Sequence, residues 1–327
     1  MNTCEMLVLI AGVTGKLGIR LARAALQRGG FRVRGLGRNP ENLDPTIASQ
    51  LELFVTCRSY DDIPALDKAV ASVDAVVCAY KPDPVLDLEG HLLLLRAAER
   101  AGVKIFHASS WNADWRLFEW GEHEHFDTHI AFQRHVEFTS PIKPVYVFTG
   151  MFAEYLFSPA GPGMFSKDES GAARVQVWDD GDANWSWTTM QDAAEFSIDL
   201  LTRKDVQQGS GDYFSVKSGD CNPKDIARAY ENVTGVRVDM KYVGTLDNLG
   251  QQLQQARQEH GRSEYMQYVA LLSQWFGYSG KFYLQNAESV LNSRHPVSLE
   301  NLLRGNPDIT RWRFDTIEIC TSLQDSE

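Results

Sequence analysis

Short apolar runs alternate with longer amphipathic segments through the first half of the chain. Six runs have the length and pattern of strands: Met6–Ala11, Phe31–Leu36, Leu51–Thr56, Asp74–Ala79, Val103–Ala108 and Pro144–Phe148. The segments between them carry apolar residues at helical spacing, most clearly in Leu17–Arg28, Asp62–Ala71 and Leu86–Ala101. Strands joined through helices form right-handed parallel crossovers. The pattern therefore predicts an α/β fold built on a doubly wound parallel sheet.

The second half of the chain lacks this regular alternation. A turn-rich segment, Ser158–Gly163, marks the predicted end of the first domain. Beyond it, helices and one strand are predicted at Asp192–Thr202, Tyr213–Val216, Pro223–Thr234 and within Leu246–Tyr278. We predict a first domain over residues 1–157, with segments near 185–220 rejoining it, and a smaller mixed lobe over residues 158–327.

Composition and charge constrain the function of the chain more than they constrain its fold. The 327 residues are 43% hydrophobic and 23% charged, with a formal net charge of −11 at pH 7. An acidic chain lacks the basic surface that attracts nucleic acids and anionic membranes, and no apolar stretch has the length of a membrane span. Five cysteines without a Cys-x-x-Cys pair favour reduced, buried thiols. We predict a cytoplasmic protein with a small-molecule partner, and its oligomeric state stays open.

A glycine-rich turn joins the first predicted strand to the first predicted helix. Its spacing, Gly12-x-x-Gly15-x-x-Gly18, puts glycine where backbone must approach a pyrophosphate and where helix must pack on strand. The helix N-terminus offers unpaired N–H groups and a positive dipole end to phosphates. In this context the spacing predicts a dinucleotide site. Its residues are Gly12, Thr14, Gly15, Lys16, Leu17 and Gly18.

The end of the second predicted strand bears on which dinucleotide is bound. NAD sites usually place Asp or Glu there to accept hydrogen bonds from the ribose hydroxyls. This chain instead has Arg38, and its first carboxylate after the strand is Glu41. A guanidinium can bind a 2′-phosphate through two parallel hydrogen bonds, and Lys16 adds positive charge. We therefore predict NADP(H) rather than NAD(H).

These residues resemble a known family. Ala11–Gly18 followed by Arg38–Pro40 is similar to the NmrA-like and isoflavone-reductase-like branch of the atypical short-chain dehydrogenases. Other similar segments follow in the family's order, within residues 5–245: Val73–Cys78, Ala97–Lys104, Thr149–Phe152, the helix from Asp192, Asn222–Asp225 and Ala229–Gly235. The resemblance implies a Rossmann domain with NADP(H) and a smaller C-terminal lobe that closes a substrate cleft.

In this family the residues after strands four, five and six frame the nicotinamide. The resemblance implies further cofactor contacts from Ala79, Tyr80, Lys81, Ser109, Ser110, Gly150, Met151 and Phe152. Aromatic residues crowd these loops and the second lobe, which favours a broad apolar pocket. We predict substrate contacts from Trp111, Asn112, Phe152, Tyr155 and Trp275.

The chain departs from the family at the catalytic lysine. Reductases of this type place that lysine on the helix after strand five, where this chain has Gln133, and His129 stands where typical short-chain enzymes have tyrosine. Glutamine cannot exchange a proton near neutral pH, whereas histidine can. The candidate catalytic residues are His129, Gln133, Tyr80 and Lys81.

A segment rich in histidine and carboxylates, Trp120–His129, raises the question of a metal. His125 and His129 have the spacing of one helix face, but the HExxH order and a cysteine partner are absent. We therefore predict a solvated acidic loop and no metal site.

Two functions fit these observations. The first is an NADP(H)-dependent oxidoreductase of specialised metabolism that acts on a large, apolar heteroaromatic substrate, with coupling of hydride transfer to cyclisation left open. The alternative is an NmrA-type regulator that senses NADP(H) without turnover. The apolar pocket favours the enzyme, because a sensor does not need one.

Overall fold

The computed structural model describes residues 5–168, 170–289 and 298–310. Its strands are β1 (Met6–Ala11), β2 (Phe31–Gly37), β3 (Leu53–Thr56), β4 (Ala75–Cys78), β5 (Ile105–His107), β6 (Val145–Phe148), β7 (Met151–Phe152), β8 (Ser166–Lys167), β9 (Ala173–Trp178), β10 (Trp185–Thr188), β11 (Asp212–Lys217), β12 (Gly219–Cys221), β13 (Val238–Gly244) and β14 (Glu288–Ser289). Its α-helices are α1 (Lys16–Arg28), α2 (Pro45–Ala48), α3 (Ile63–Val70), α4 (His91–Arg100), α5 (Glu124–Thr139), α6 (Met190–Leu200), α7 (Lys204–Gln207), α8 (Pro223–Thr234), α9 (Leu246–His260), α10 (Val269–Tyr278) and α11 (Leu299–Gly305).

The main sheet has the strand order of a dinucleotide-binding fold. Eight strands lie side by side in the order β14-β11-β6-β5-β4-β1-β2-β3, and β1 pairs in parallel with both β2 and β4. The order of strand addition reverses between β1 and β4. In such sheets ligands bind at this switch point, outside the carboxyl ends of the strands. The predicted α/β fold with a doubly wound parallel Rossmann sheet is confirmed.

Helices cover both faces of this sheet. Helix α1 packs beside α6, and α3 packs beside α4. The strand segments Val8–Ala11 and Ala75–Cys78 are completely buried, as expected for parallel strands with helices on each side. The central strands therefore form a rigid support whose carboxyl ends carry the glycine turn and the loop after β4.

The chain forms two compact units that alternate along the sequence. Among the described residues, the first contains 5–111, 125–148 and 190–214, and the second contains 112–124, 149–168, 170–189, 215–289 and 298–310. The second unit holds two small sheets, with strand orders β12-β10-β7 and β13-β9-β8, and the helices α8 to α11. Residues 190–214, within the predicted rejoining segment 185–220, group with the first unit, whereas residues 112–124 and 149–157 group with the second.

The prediction of a solvated loop at Trp120–His129 is wrong for its second half. Helix α5 begins at Glu124, and Phe126 and His129 are buried. Helical spacing brings residues four apart onto one face, so His125 and His129 point inward together. Trp120, in contrast, is exposed.

Two observations concern membrane spans and cysteines. No helix in the described ranges combines the length and the apolar character that a bilayer crossing requires. Cys57, Cys78 and Cys221 are free thiols, whereas Cys4 and Cys320 lie outside the described residues.

A buried histidine in the core of the first unit makes stability depend on pH. His107 has no exposed surface; its Nδ1 lies 2.9 Å from the Ala108 carbonyl oxygen, and its Nε2 lies 3.2 Å from the Ser197 hydroxyl. Burial lowers the pKa of His107 from 6.5 to about 4. The folded state therefore holds this imidazole neutral, while the unfolded chain takes up a proton below pH 6.5.

We expect this histidine to destabilise the first unit as pH falls from 6.5 to 4. Above pH 6.5 the neutral imidazole costs the folded state nothing. Below pH 4 the loss in the free energy of unfolding levels off, at about 3 kcal/mol by linkage. His107→Gln should lose this part of the pH dependence in urea unfolding followed by circular dichroism. The matched control is His135→Gln, which changes an exposed histidine on α5. Equal slopes of unfolding free energy against pH in wild type and His107→Gln would contradict the assignment.

Candidate functional site

The glycine turn lies at the switch point of the sheet. Gly12 adopts a φ of +80°, its N–H donates to Leu36 at 2.9 Å, and the N–H of Ala79 donates to Ala11 at 2.8 Å. A Cβ on Gly12 would lie 2.4 Å from the Ala79 carbonyl oxygen. Glycine is required here because both the backbone angle and the contact with the end of β4 exclude a side chain.

Gly15 and Gly18 have opposite environments. A Cβ on Gly18 would lie 2.1 Å from the Gly12 carbonyl oxygen, so α1 packs directly on the turn. Gly15 is exposed and extended, with φ −76° and ψ 163°. A Cβ there would meet just the Gly12 oxygen, at 3.2 Å, among the described residues. Gly18 thus serves packing, whereas Gly15 leaves space on the outer side of the turn.

The N-terminus of α1 is available to an anion. No side chain caps it, and its first turn carries no acidic residue. Helix N-termini present N–H groups and a positive dipole end to negative charge. Lys16, the first residue of α1, is exposed and adds a cation at this end. Thr14 and Leu17, also predicted to contact the cofactor, are half-buried in the same turn.

The end of β2 presents a cation beside this turn. Arg38 directly follows β2 and is exposed, and no described residue forms a hydrogen bond or ion pair with its guanidinium. The preceding Gly37 lies close to Thr14, since a Cβ at residue 37 would come within 3.4 Å of the Thr14 hydroxyl oxygen. The carboxyl ends of β1 and β2 therefore bring the glycine turn and Arg38 to one edge of the sheet.

The loops after β4 and β5 meet beside the same edge. Ala79 is buried and Tyr80 is half-buried, and burial raises the pKa of the Tyr80 hydroxyl well above its ordinary value. The Ser109 hydroxyl lies 3.4 Å from the Tyr80 carbonyl oxygen. Lys81 is exposed on the same loop. These predicted cofactor residues lie on adjoining loops of the first unit.

Two residues after β5 are occupied with structural contacts. The Ser110 hydroxyl donates to the Ala108 carbonyl oxygen and accepts the Val147 N–H at 2.8 Å. Trp111, predicted to contact substrate, is buried; its indole N–H donates to the Ser197 hydroxyl at 2.8 Å, and its ring stacks on His107. Both side chains are therefore largely inaccessible to a ligand.

Sequence reasoning missed His91, which positions the loop after β5. Its Nε2 accepts the Ser109 N–H at 2.9 Å, and its Nδ1 lies 3.2 Å from the Asp87 carbonyl oxygen. These contacts assign the proton to Nδ1. Burial lowers the pKa of His91, so the ring is neutral and holds the backbone of Ser109. An isolated histidine on an amphipathic helix gave no signal of this role.

The other predicted ligand contacts lie in the second unit. The Asn112 carbonyl oxygen accepts the N–H groups of Thr149 and Gly150, at 3.0 and 3.2 Å. Gly150 has φ +65°, and a Cβ there would lie 2.1 Å from the Ser186 carbonyl oxygen. Met151 is buried and Phe152 half-buried in β7, which pairs with β10.

The two remaining residues predicted to contact substrate are half-buried in the second unit. Tyr155 ends a short 3-10 turn after β7. Trp275 on α10 lies against α9, since a Cβ on Gly250 would lie 2.8 Å from its indole nitrogen. The structure thus puts Trp275 in a helix-to-helix contact.

Gln133 is bound along its own helix. Its side-chain amide donates to the Glu137 carboxylate one turn later. A glutamine in this contact can orient polar groups by hydrogen bonds, but it has no group that ionises near neutral pH.

A buried cluster of one carboxylate and two imidazoles lies between the turn before α4 and the first turns of α5. Asp87 belongs to the π turn Leu86–Gly90 and is 1% exposed. The His125 Nδ1 lies 3.2 Å from the Asp87 carboxylate, and the His125 Nε2 lies 3.4 Å from the His129 Nε2. We call these three residues the Asp-His-His cluster. Sequence reasoning missed Asp87, which is far from both histidines along the chain.

Burial and charge act in opposite directions within the Asp-His-His cluster. Burial alone raises the pKa of Asp87, but the surrounding histidines, His125 above all, outweigh it and hold the pKa below its ordinary value. Burial lowers the pKa of His129 to about 3, against the opposing effect of Asp87. His129 is therefore a neutral imidazole at pH 7.

Comparison with known proteins agrees with this fold. The family model described as the NmrA-like family matches residues 5–306. A probable pinoresinol-lariciresinol reductase 3 from Arabidopsis thaliana is 28% identical over 229 residues, which cover 68% of this chain and 72% of that relative.

Solved structures extend the likeness over nearly the whole chain. One from a study of pinoresinol-lariciresinol and phenylcoumaran benzylic ether reductases has a TM-score of 0.72 at 22% identity, covering 91% of this chain and 98% of that one. A binary complex of leucoanthocyanidin reductase and NADPH from Vitis vinifera has a TM-score of 0.69 at 18% identity, covering 91% and 98%. Because the family model spans most of the chain, this protein belongs to the NmrA-like family.

Proposed function

We propose that this protein is an NADP(H)-dependent oxidoreductase of specialised metabolism. The observation that carries the proposal is the edge formed by the glycine turn and Arg38: an open Gly15, an uncapped helix N-terminus and an exposed guanidinium. Together they offer backbone N–H groups to a pyrophosphate and a planar cation to a 2′-phosphate. Reductases among the relatives, one of them solved with NADPH, support the same cofactor.

The substrate in this proposal is a large, mostly apolar heteroaromatic compound. Relatives named as reductases of pinoresinol and lariciresinol, or of leucoanthocyanidin, support an aromatic compound. Of the aromatic residues predicted to contact it, Phe152 and Tyr155 are half-buried and retain surface, whereas Trp111 is enclosed. We therefore favour Phe152 and Tyr155 over Trp111 as substrate contacts.

The finer part of the proposal couples hydride transfer to ring formation. Gln133 replaces the family's lysine, and its amide is bound to Glu137, so it supplies no proton. Hydride transfer to or from an iminium-like carbon needs no proton at that carbon. An oxidation–cyclisation–reduction sequence, in which NADP⁺ takes a hydride and NADPH returns it, would therefore suit a site without the usual acid. His129, Tyr80 and Lys81 remain the proposed acid–base residues for a simple reduction.

The missing lysine also supports a second candidate, an NADP(H)-sensing regulator without turnover. Incubating the purified protein with a panel of polycyclic and prenylated indoles and phenols, once with NADPH and once with NADP⁺, separates the two. Oxidation of NADPH, or formation of a cyclised product with NADP⁺ unchanged, supports the enzyme. Tight NADPH binding with no product in any mixture, analysed by liquid chromatography and mass spectrometry, would favour the regulator.

We expect Arg38→Glu to weaken NADPH binding by about 10–100-fold and NADH binding much less. The substitution removes a charge-assisted contact worth about 1.5–3 kcal/mol and puts a carboxylate beside the 2′-phosphate. Calorimetric titration of both nucleotides measures the two affinities. Arg134→Glu is the control, since it makes the same charge change at an exposed position on α5. An equal loss for both nucleotides would remove Arg38 from the phosphate site.

A further inference from the structure

The Asp-His-His cluster has the composition and the spacing of a metal site. We propose that Asp87, His125 and His129 bind one divalent transition-metal ion of the zinc class. This inference is independent of the proposed function, since it concerns a different set of side chains from the glycine turn and Arg38.

The distance between the two imidazole nitrogens fits a tetrahedral ion. Zinc–nitrogen bonds of about 2.0–2.1 Å at tetrahedral angles separate two nitrogen ligands by about 3.3–3.4 Å. The Nε2 atoms of His125 and His129 are 3.4 Å apart. One ligand atom from each of the three residues lies within 4.8 Å of the others. The Asp87 carboxylate contacts the other ring nitrogen of His125, Nδ1, so the His125 ring or the carboxylate must turn to bring all three ligands onto one ion.

The surrounding structure holds the three side chains in one place. His125 and His129 occupy successive turns of α5, and Asp87 lies on the π turn that precedes α4. π turns inside helices are frequent at functional sites. The Asp87 carboxylate accepts the Asp83 N–H at 3.1 Å, and its carbonyl oxygen contacts His91. Such contacts orient metal ligands and tune their affinity.

The donor set decides which ion fits. Two imidazole nitrogens and one carboxylate oxygen suit zinc and its neighbours, and they disfavour magnesium and calcium, which prefer oxygen ligands. Three protein ligands leave a fourth position for water or a substrate oxygen, which is the arrangement of catalytic zinc sites. The side chain of His125 is 11% exposed, whereas that of Asp87 is 1% exposed, so the open side of the cluster is next to His125.

The experiment uses full-length protein without a polyhistidine tag. After dialysis against a chelator, the protein is titrated with Zn²⁺ by calorimetry and with Co²⁺ by visible absorption. We expect one ion per chain, a tetrahedral Co²⁺ spectrum without a thiolate charge-transfer band, and a rise in melting temperature on adding Zn²⁺. His125→Ala and Asp87→Asn should each weaken the affinity at least about 100-fold, because even outer partners of a ligand contribute 10–100-fold.

The matched control is His135→Ala, which removes an exposed histidine from the same helix. It should bind metal as the wild type does. Circular dichroism of each metal-free variant checks the fold, and His129→Asn replaces any variant that fails to fold. Absence of stoichiometric binding would leave the Asp-His-His cluster as a hydrogen-bonded chain and overturn the proposal. Equal loss in His135→Ala, or a thiolate band that locates the ion on a cysteine, would overturn it as well.

Discussion

Gly15→Val is expected to abolish binding of both NADPH and NADH while the first unit stays folded. Gly15 has an extended backbone that valine adopts readily, and a Cβ there lies 3.2 Å from one carbonyl oxygen, so the turn must shift by a few tenths of an ångström to accept the change. The branched side chain would instead fill the space that the pyrophosphate needs. Loss of two hydrogen bonds to phosphate, each worth about 1.5–3 kcal/mol, weakens binding at least about 100-fold.

Gly18→Val is the contrasting variant on the same turn. Its Cβ would lie 2.1 Å from the Gly12 carbonyl oxygen, so the helix must move away from the turn and the fold is destabilised. Calorimetry with each nucleotide and thermal unfolding by circular dichroism separate the two effects. Unchanged affinity in a folded Gly15→Val protein would mean that the turn serves packing alone.

The first unit could be predicted from the sequence because its signals are local. Apolar runs such as Met6–Ala11 reflect burial on both faces, and glycines at positions 12 and 18 reflect contacts within a few residues. The strand-to-helix alternation then leaves few topologies, because parallel crossovers are right-handed. The position of Arg38 followed from the same reasoning, since it directly follows a strand end.

The Asp-His-His cluster could not be predicted, because it depends on contacts across the chain. The spacing of His125 and His129 predicts that they share one helix face. Asp87 comes from another segment, and nothing in its sequence context indicates that it contacts them. The many charges of residues 120–129 favoured a solvated loop. Burial of His129 reversed that interpretation, because tertiary packing and not local polarity decides which face of a helix is enclosed.

The aromatic residues show a second limit of the sequence pattern. An excess of Trp and Phe indicates either a pocket or a core, and composition does not distinguish them. Trp111 donates to Ser197 inside the first unit. In the second unit, Trp185 is fully buried and stacks on Phe282, with ring centroids 5.0 Å apart. Part of the apparent pocket lining therefore stabilises the fold.

The second large expected effect is a loss of stability when a buried ion pair in the second unit is broken. Glu124 is 4% exposed at its side chain, and Arg257 on α9 donates to both of its carboxylate oxygens, at 2.8 and 3.0 Å. Arg257 also donates to the Glu122 carbonyl oxygen, and the Tyr268 hydroxyl donates to Glu124 at 3.0 Å. Removing the arginine leaves a buried carboxylate without its bidentate partner, and the nearest cation among the described residues is then the half-exposed Arg262, 3.7 Å from it.

We expect Arg257→Met to lower the free energy of unfolding of the second unit by about 3–5 kcal/mol, the usual cost of breaking a buried pair on one side. Arg174→Met is the control: its partner Asp239 is exposed, and surface pairs contribute about 0–1 kcal/mol. The double variant Glu124→Gln with Arg257→Met should recover part of the loss, because a neutral amide still accepts from Tyr268 and leaves no buried charge. Urea unfolding followed by tryptophan fluorescence measures all three variants. If the double variant is no more stable than Arg257→Met alone, the loss comes from the packing of the arginine's methylene groups and not from the uncompensated carboxylate.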